Sequence, residues 1–297
     1  MKNRNVSLDV LKMMMALMVV GIHTRPFYSL DWLDFLTWNG FFRIAVPGFF
    51  VLGGYFMKSS TNLFLWSKRL VLLYLFWSFV FFPFYTDFGK RLEFFHIAKM
   101  LFIGYYHLWY VVAYVVAGWL VCFCSGFKRV AVNFLCVILF LVGVFVQYFS
   151  MFGEGHVSVW LYRNFLFFAF PMMWLGYSGW GESFFSSRKA LVIGVGLLIF
   201  ESSLVRFFGV VSDFDIFMSG FVLAPSVFYG VRNVYVSFSW RGFSLFSSVF
   251  YFSHPLFVFL LKPYLGFGWY LFFCVVVCCY VFSSFVMVFK NKFRFIY

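Results

Sequence analysis

The stretch LDVLKMMMALMVVGIHTRPF, residues 8–27, is long and apolar enough to form a helix that crosses a lipid bilayer. It nevertheless carries three ionisable side chains, Asp9, Lys12 and His23. Such groups are costly in hydrocarbon and usually face a bundle interior or an aqueous cavity. At 3.6 residues per turn, Lys12 and His23 lie on one helix face, about 16 Å apart along the axis, and Asp9 neighbours Lys12. The stretch therefore predicts a membrane helix with one interior polar stripe.

The composition of the whole chain indicates an all-α, polytopic integral membrane protein. Of its 297 residues, 64% are hydrophobic and only 11% are charged. A soluble domain is about half apolar and about a quarter charged. Most basic residues lie between apolar runs, where they set topology, so the net charge of +13 does not favour a nucleic-acid partner. The six cysteines have no zinc-ligand spacing, and we predict no metal site.

Apolar runs of about 20 residues predict ten membrane spans in one bundle domain, residues 1–297. The spans are residues 8–26, 39–57, 69–86, 107–125, 130–150, 159–178, 189–208, 215–231, 243–262 and 267–289. Residues 159–178 and 215–231 are the least typical of the ten, because the first contains Arg163 and Asn164 and the second is short. Residues 92–104 are typical of an interfacial helix.

The distribution of basic residues predicts that both termini are cytoplasmic. With that orientation, cytoplasmic segments hold fourteen Lys and Arg residues and outer segments hold six. This asymmetry follows the positive-inside rule and agrees with an even number of spans.

Several further polar residues fall inside the predicted spans. Arg43 lies in the second span, which also contains Gly53, Gly54 and Tyr55. Arg163, Glu201 and His254 lie in the sixth, seventh and ninth spans, and the fourth begins with HLWYV, residues 107–111, which contains Trp109. The glycines permit close helix contact or backbone approach to a ligand. Each polar residue could be an isolated tie between helices, but together they predict a polar interior.

The residues of the first span allow two interpretations. Asp9 and Lys12 could form an interfacial ion pair, with Lys12 reaching the cytoplasmic surface and His23 lying at headgroup level. Alternatively the stripe is functional, since histidine can accept or release a proton near neutral pH. We expect a functional role for His23 in particular.

The motifs, in their order along nearly the whole chain, resemble the acyltransferase-3 family of membrane acyltransferases. SLDVLKMMMALMVVGIH, residues 7–23, is similar to that family's first span, which has Leu-Asp, a basic residue, ten residues and then His. RIAVPGFFVLGGYFM, residues 43–57, resembles its VPxFFxxSGY span. LWSKRLVLLYLFW, HLWYV, RNFLFFAFPMMWLGY and FSHPLF resemble later landmarks. Two positions depart from the pattern: Lys12 replaces the usual Arg, and Gly53 replaces a Ser.

The resemblance implies about ten spans and transfer of an acyl group, most often acetyl, from acyl-CoA to a hydroxyl of a carbohydrate or cell-surface glycan precursor. No bound cofactor is implied, because acyl-CoA is the donor substrate. His23 would be the general base, Asp9 would neutralise Lys12, and Lys12, Arg43 or Arg163 would stabilise the oxyanion.

The remaining candidate residues would bind the two substrates. Arg69 belongs to a cytoplasmic set of phosphate partners for CoA, with Lys58, Lys68, Lys128 and Arg129. Trp109 would stack on a sugar, line the donor path or simply pack, and Tyr55, Glu201 and His254 are further candidates for substrate or donor binding.

A transporter or flippase for a polar or lipid-linked solute is the alternative function, and its buried charges would form a relay. The absence of paired broken helices in the two halves of the sequence favours the enzyme. A third possibility is an assembly partner without chemistry. The expected location is a bacterial cytoplasmic membrane; the acceptor and the oligomeric state do not follow from the sequence.

Overall fold

The computed structural model of the protein describes residues 5–58, 62–85, 102–153, 157–209, 214–237 and 242–289. Within these ranges the chain is helical and contains no strand. The α-helices are α1 Val6–Thr24, α2 Asp31–Trp38, α3 Ala45–Met57, α4 Leu63–Tyr85, α5 Trp109–Cys124, α6 Arg129–Phe152, α7 Phe170–Ser178, α8 Glu182–Phe185, α9 Arg188–Phe207, α10 Gly220–Arg232, α11 Phe243–Leu265 and α12 Trp269–Val288. The predicted all-α membrane bundle is confirmed.

The predicted spans correspond to these helices, with two corrections of length. Among the described residues, eight helical stretches are long and apolar enough to cross a membrane. The other two predicted spans, 159–178 and 215–231, contain the shorter helices Phe165–Ser178 and α10. Residues 214–217 have no regular secondary structure, which shortens the second of these. The predicted interfacial helix 92–104 lies outside the described residues except for 102–104, and the orientation of the termini stays a prediction.

Helix α1 lies inside the bundle, where it packs against α11, α3 and α12. The side chain of Asn5 accepts a hydrogen bond from the backbone N–H of Leu8 and caps the first turn. Arg25, with a left-handed φ of 45°, ends the helix directly after His23 and Thr24. His23 is therefore held in the last turn of an interior helix.

Glycines bring the backbones of α3 and α7 into direct contact. A Cβ added to Gly54 would lie 1.8 Å from the carbonyl oxygen of Met173, and one added to Gly176 would lie 1.9 Å from that of Val51. Only glycine allows helices to approach this closely. At Gly54 the close helix contact that the sequence allowed is present. The contact fixes α3, which follows Arg43, against α7, which follows Arg163.

Candidate functional site

A polar cavity of about 230 Å³ lies beside the last turn of α1. Its walls come from α1, α11, the turn before α3, the start of α5 and the segments that precede α7 and α10. The polar side chains around it include His23, Arg43, Tyr106, His107, Arg163 and Asp215, together with Tyr110 and Tyr251. We call it the His23 cavity. It brings together four of the residues selected from the sequence, His23, Arg43, Trp109 and Arg163.

Tyr106 orients the ring of His23. Its hydroxyl lies 2.7 Å from Nδ1 of His23, and the two ring centroids are 4.6 Å apart. Tyr106 has a φ of 51°, an uncommon backbone conformation for a residue other than glycine and one that often marks a functional site. If Nδ1 carries the proton and donates it to the Tyr106 oxygen, Nε2 keeps the lone pair that a general base requires.

Two more histidines surround this base. The ring of His254 stacks on His23 at a centroid distance of 5.3 Å, and the ring of His107 lies 5.6 Å from His254. Nδ1 of His254 contacts the carbonyl oxygen of Tyr251, whereas neither ring nitrogen of His107 has a hydrogen-bond partner among the described residues. Among all the residues that the structure describes, no three His, Cys, Asp or Glu side chains are grouped in a way that could hold a metal ion.

Asp215 joins two arginines on another wall of the cavity. Its Oδ1 accepts hydrogen bonds from Nη1 of Arg43 at 2.7 Å and from Nη1 of Arg163 at 2.8 Å. Arg43 also donates through Nε to the carbonyl oxygen of Trp38 and through Nη2 to the side chain of Asn39. The two guanidinium groups and one carboxylate leave a net charge of +1 beside the cavity.

Two buried side chains fix the segment that carries Asp215. The amide oxygen of Gln147 accepts from the backbone N–H groups of Asp215 and Ile216, and its amide nitrogen donates to the carbonyl oxygen of Ile216. Glu201 accepts from the N–H groups of Met218 and Ser219. Glu201 does not line the His23 cavity; it holds the end of the non-helical segment that presents Asp215 to that cavity.

Lys12 and Asp9 lie at the other end of α1. Nζ of Lys12 is 3.9 Å from Oδ1 of Asp9 and donates to Oγ of Ser244 at 2.9 Å. Lys12 lines a second cavity of about 370 Å³, which we call the Lys12 cavity. Tyr110 and Tyr251 line both this cavity and the His23 cavity. The polar stripe predicted for α1 thus faces two neighbouring interior cavities rather than one.

A third cavity, of about 460 Å³, adjoins the His23 cavity through the shared lining residues Tyr106, Trp109 and Arg163. The ring of Trp160 adds a further aromatic wall, and we call this the Trp160 cavity. The guanidinium carbon of Arg163 lies 4.8 Å from the centroid of the Trp109 ring. Trp109 therefore takes part in a cation–π contact at the boundary of two cavities.

The other predicted residues lie away from the His23 cavity. The Tyr55 ring packs on Phe228 at 5.2 Å and beneath Arg232 at 5.7 Å. Arg69 is exposed on α4. His254 lies behind His23 and is completely buried. Neither Tyr55 nor Arg69 lines any of the three cavities.

Sequence reasoning did not select Asp215, Tyr106 or His107 as site residues. Two arginines inside predicted spans require a buried carboxylate, and this rule was a usable signal for Asp215. His107 stands in the HLWYV motif, where an ionisable residue at the start of a span was a comparable signal. For Tyr106 we find no signal in the sequence, since its role depends on a contact with His23 on another helix.

Comparison with known proteins identifies the family of the chain. A family described as an acyltransferase domain matches residues 5–289. An amino-acid racemase of Enterococcus faecalis is 32% identical over 163 residues, which is 48% of this chain and 23% of that protein, so the chain spans about a quarter of the length of that curated relative. No solved structure matches the chain significantly. Because the matching domain extends over nearly the whole sequence, the chain belongs to the acyltransferase-3 family of membrane proteins.

Proposed function

We propose that the protein is an O-acyltransferase of a bacterial cytoplasmic membrane. It moves an acyl group, most commonly acetyl, from acyl-CoA to a hydroxyl of a carbohydrate or cell-surface glycan precursor. The observation that carries the proposal is the position of His23. Its Nδ1 is held by Tyr106, and its cavity shares walls with the Lys12 cavity on one side and the Trp160 cavity on the other.

The Lys12 cavity suits the donor. With the N-terminus in the cytoplasm, Lys12 lies toward the compartment that holds acyl-CoA. Basic side chains that surround this side are exposed and available to phosphate groups, namely Lys58, Lys68, Arg69, Lys128 and Arg129. The thioester arm would pass from Lys12 between Tyr110 and Tyr251 toward His23, about 16 Å along α1.

The Trp160 cavity suits a carbohydrate acceptor. Its aromatic rings, Trp109 and Trp160, offer flat apolar faces for the C–H groups of a sugar ring, and Arg163 offers hydrogen-bond donors for its oxygens. Arg163 lines both cavities, so an acceptor bound there would have a hydroxyl near His23.

The transfer then follows from the groups around His23. Nε2 takes the proton of the acceptor hydroxyl as its oxygen attacks the thioester carbonyl carbon. The tetrahedral intermediate collapses, the carbon–sulfur bond breaks, and the imidazolium returns the proton to the departing sulfur. The products are an ester and free CoA thiol. The net positive charge of Arg43, Asp215 and Arg163 lowers the energy of the anionic intermediate.

Membranes that contain His23→Ala or His23→Gln test this function. We expect transfer of labelled acetyl from acetyl-CoA to glycan to fall by at least about 100-fold, because general base catalysis contributes about that much or more. Met14→Ala, on the exposed side of the same helix, is the matched control and should retain activity. Full activity of the His23 variants at normal protein level would show that His23 is not the general base. A wild-type protein that moves a solute across vesicles without acyl transfer would establish the transporter instead.

A further inference from the structure

We propose that His107 is a second catalytic residue, whose ring N–H binds the carbonyl oxygen of the transferred acyl group and stabilises the oxyanion that forms there. The proposal rests on the acyl transfer proposed above. It assigns the oxyanion contact, which the sequence left open between Lys12, Arg43 and Arg163, to a side chain outside that set.

The first argument is that the hydrogen-bonding atoms of His107 have no partner among the described residues. The residue is only 5% exposed, and neither Nδ1 nor Nε2 has a partner in the described part of the chain. A neutral imidazole has one donor and one acceptor. Leaving such groups unsatisfied in a buried site is unfavourable, and an exception of this kind calls for a bound partner or a catalytic role.

The second argument is the nature of its surroundings. The rings nearest to His107 are those of Phe81 at 5.1 Å, His254 at 5.6 Å and Tyr251 at 5.9 Å, and none of them forms a hydrogen bond with it. His107 lines the His23 cavity. A carbonyl oxygen placed in that cavity would satisfy the donor, and its interaction would be strong because little water competes for it.

The third argument is that the three basic side chains considered from the sequence are either partly engaged with other groups or distant from the His23 cavity. Arg43 is 9% exposed and donates from Nε, Nη1 and Nη2 to Trp38, Asp215 and Asn39. Lys12 lines the other cavity. Arg163 is held by Asp215 and by the face of Trp109. His107, in contrast, lines the His23 cavity, and neither of its ring nitrogens has a partner among the described residues.

His107 is also placed correctly with respect to the base. The rings of His23 and His107 both lie against His254, at centroid distances of 5.3 and 5.6 Å. Tyr106, which orients His23, is the preceding residue in the chain. A tetrahedral carbon in the cavity that both residues line would have the attacking oxygen near His23 and the oxyanion near His107, as acyl transfer requires.

The rival explanation is structural: His107 would donate to Nε2 of His254, which also has no partner among the described residues. Replacing His107 by Phe keeps the ring and removes the donor, whereas Gln restores an N–H. We expect the rate of acetyl transfer, kcat, to fall about 100-fold to 1000-fold in His107→Phe with KM for acetyl-CoA within about threefold. His107→Gln should recover at least about tenfold of the loss.

A second readout does not depend on turnover. Acetyl-CoA labelled with ¹³C at the thioester carbonyl is bound to the purified protein, and the infrared frequency of that carbonyl is measured. We expect a lower frequency in the wild type and in His107→Gln than in His107→Phe. A structural role would leave the frequency unchanged.

The two readouts separate the proposals. If the carbonyl frequency differs between the wild type and His107→Phe but no glycan is acylated, His107 is a carbonyl-binding residue and the proposed function is wrong. The role of His107 alone would be overturned if the wild type transfers acetyl but its carbonyl frequency equals that of His107→Phe. It would also be overturned if His107→Gln does not restore the rate lost in His107→Phe. Absence of acetyl-CoA binding to the wild type would overturn both.

Discussion

Replacing Asp215 by Asn removes the carboxylate that Arg43 and Arg163 share but keeps the size of the side chain. The shared oxygen lies 2.7 Å from one Nη1 atom and 2.8 Å from the other, so those two nitrogens are at most about 5.5 Å apart. Two unit charges at that distance repel each other by about 3 kcal/mol at an effective dielectric constant of about 20. Removal of one partner from a buried ion pair costs about 3–5 kcal/mol. We therefore expect the free energy of unfolding to fall by about 3–5 kcal/mol.

The measurement is the fraction of detergent-solubilised protein that remains monodisperse after heating, read by fluorescence-detected size-exclusion chromatography. Asp31→Asn is the matched control, because it breaks an Arg–Asp pair with Arg206 in which the Asp31 side chain is 73% exposed. Such a pair contributes about 0–1 kcal/mol. Adding Arg163→Gln to Asp215→Asn removes the excess charge and should recover part of the lost stability. Equal stability of Asp215→Asn and Asp31→Asn would refute the reasoning.

Three further variants test individual contacts. Tyr106→Phe removes the hydrogen bond to the base and should lower kcat about 10-fold with KM unchanged, whereas Tyr264→Phe, an exposed tyrosine that lines none of the three cavities, should have little effect in the same assay. Gly54→Ala places a Cβ 1.8 Å from a carbonyl oxygen of α7 and should cost at least about 1–3 kcal/mol in thermal unfolding; Gly196→Ala, with no atom within 4 Å, is its control. Glu201→Gln weakens the hold on residues 214–219 and should speed amide hydrogen exchange there; unchanged exchange would contradict the support that we assign to this carboxylate.

The interior polar stripe of α1 was predictable because helical spacing fixes which residues share a face. Lys12 and His23 both line interior cavities, as that argument requires. Their division between two cavities was not predictable. Tyr110 and Tyr251, which stand between them, come from α5 and α11, and the periodicity of one helix contains no information about side chains from others.

The pairing of Asp215 with two arginines was likewise not predictable from local sequence patterns. Asp215 is the first residue of the predicted span 215–231, whereas in the structure it precedes the helix and is buried between two arginines. Its partners are 172 and 52 residues away in sequence. The rule that an intramembrane arginine needs a partner demanded a carboxylate. It did not identify which one, because the non-helical segment that carries Asp215 is positioned by Gln147 and Glu201.

The partners of Lys12 give a physical reason why lysine suffices where the family usually has arginine. Arginine is favoured where a planar fork binds two oxygens at once. Here the ammonium donates to the single hydroxyl of Ser244 and lies 3.9 Å from Asp9, an arrangement that a compact charge satisfies. The planar recognition that only guanidinium supplies occurs instead at Arg43 and Arg163, beside the His23 cavity. A positive charge thus lies at each end of the proposed path. A planar guanidinium group is needed only at the end where the acyl group would react.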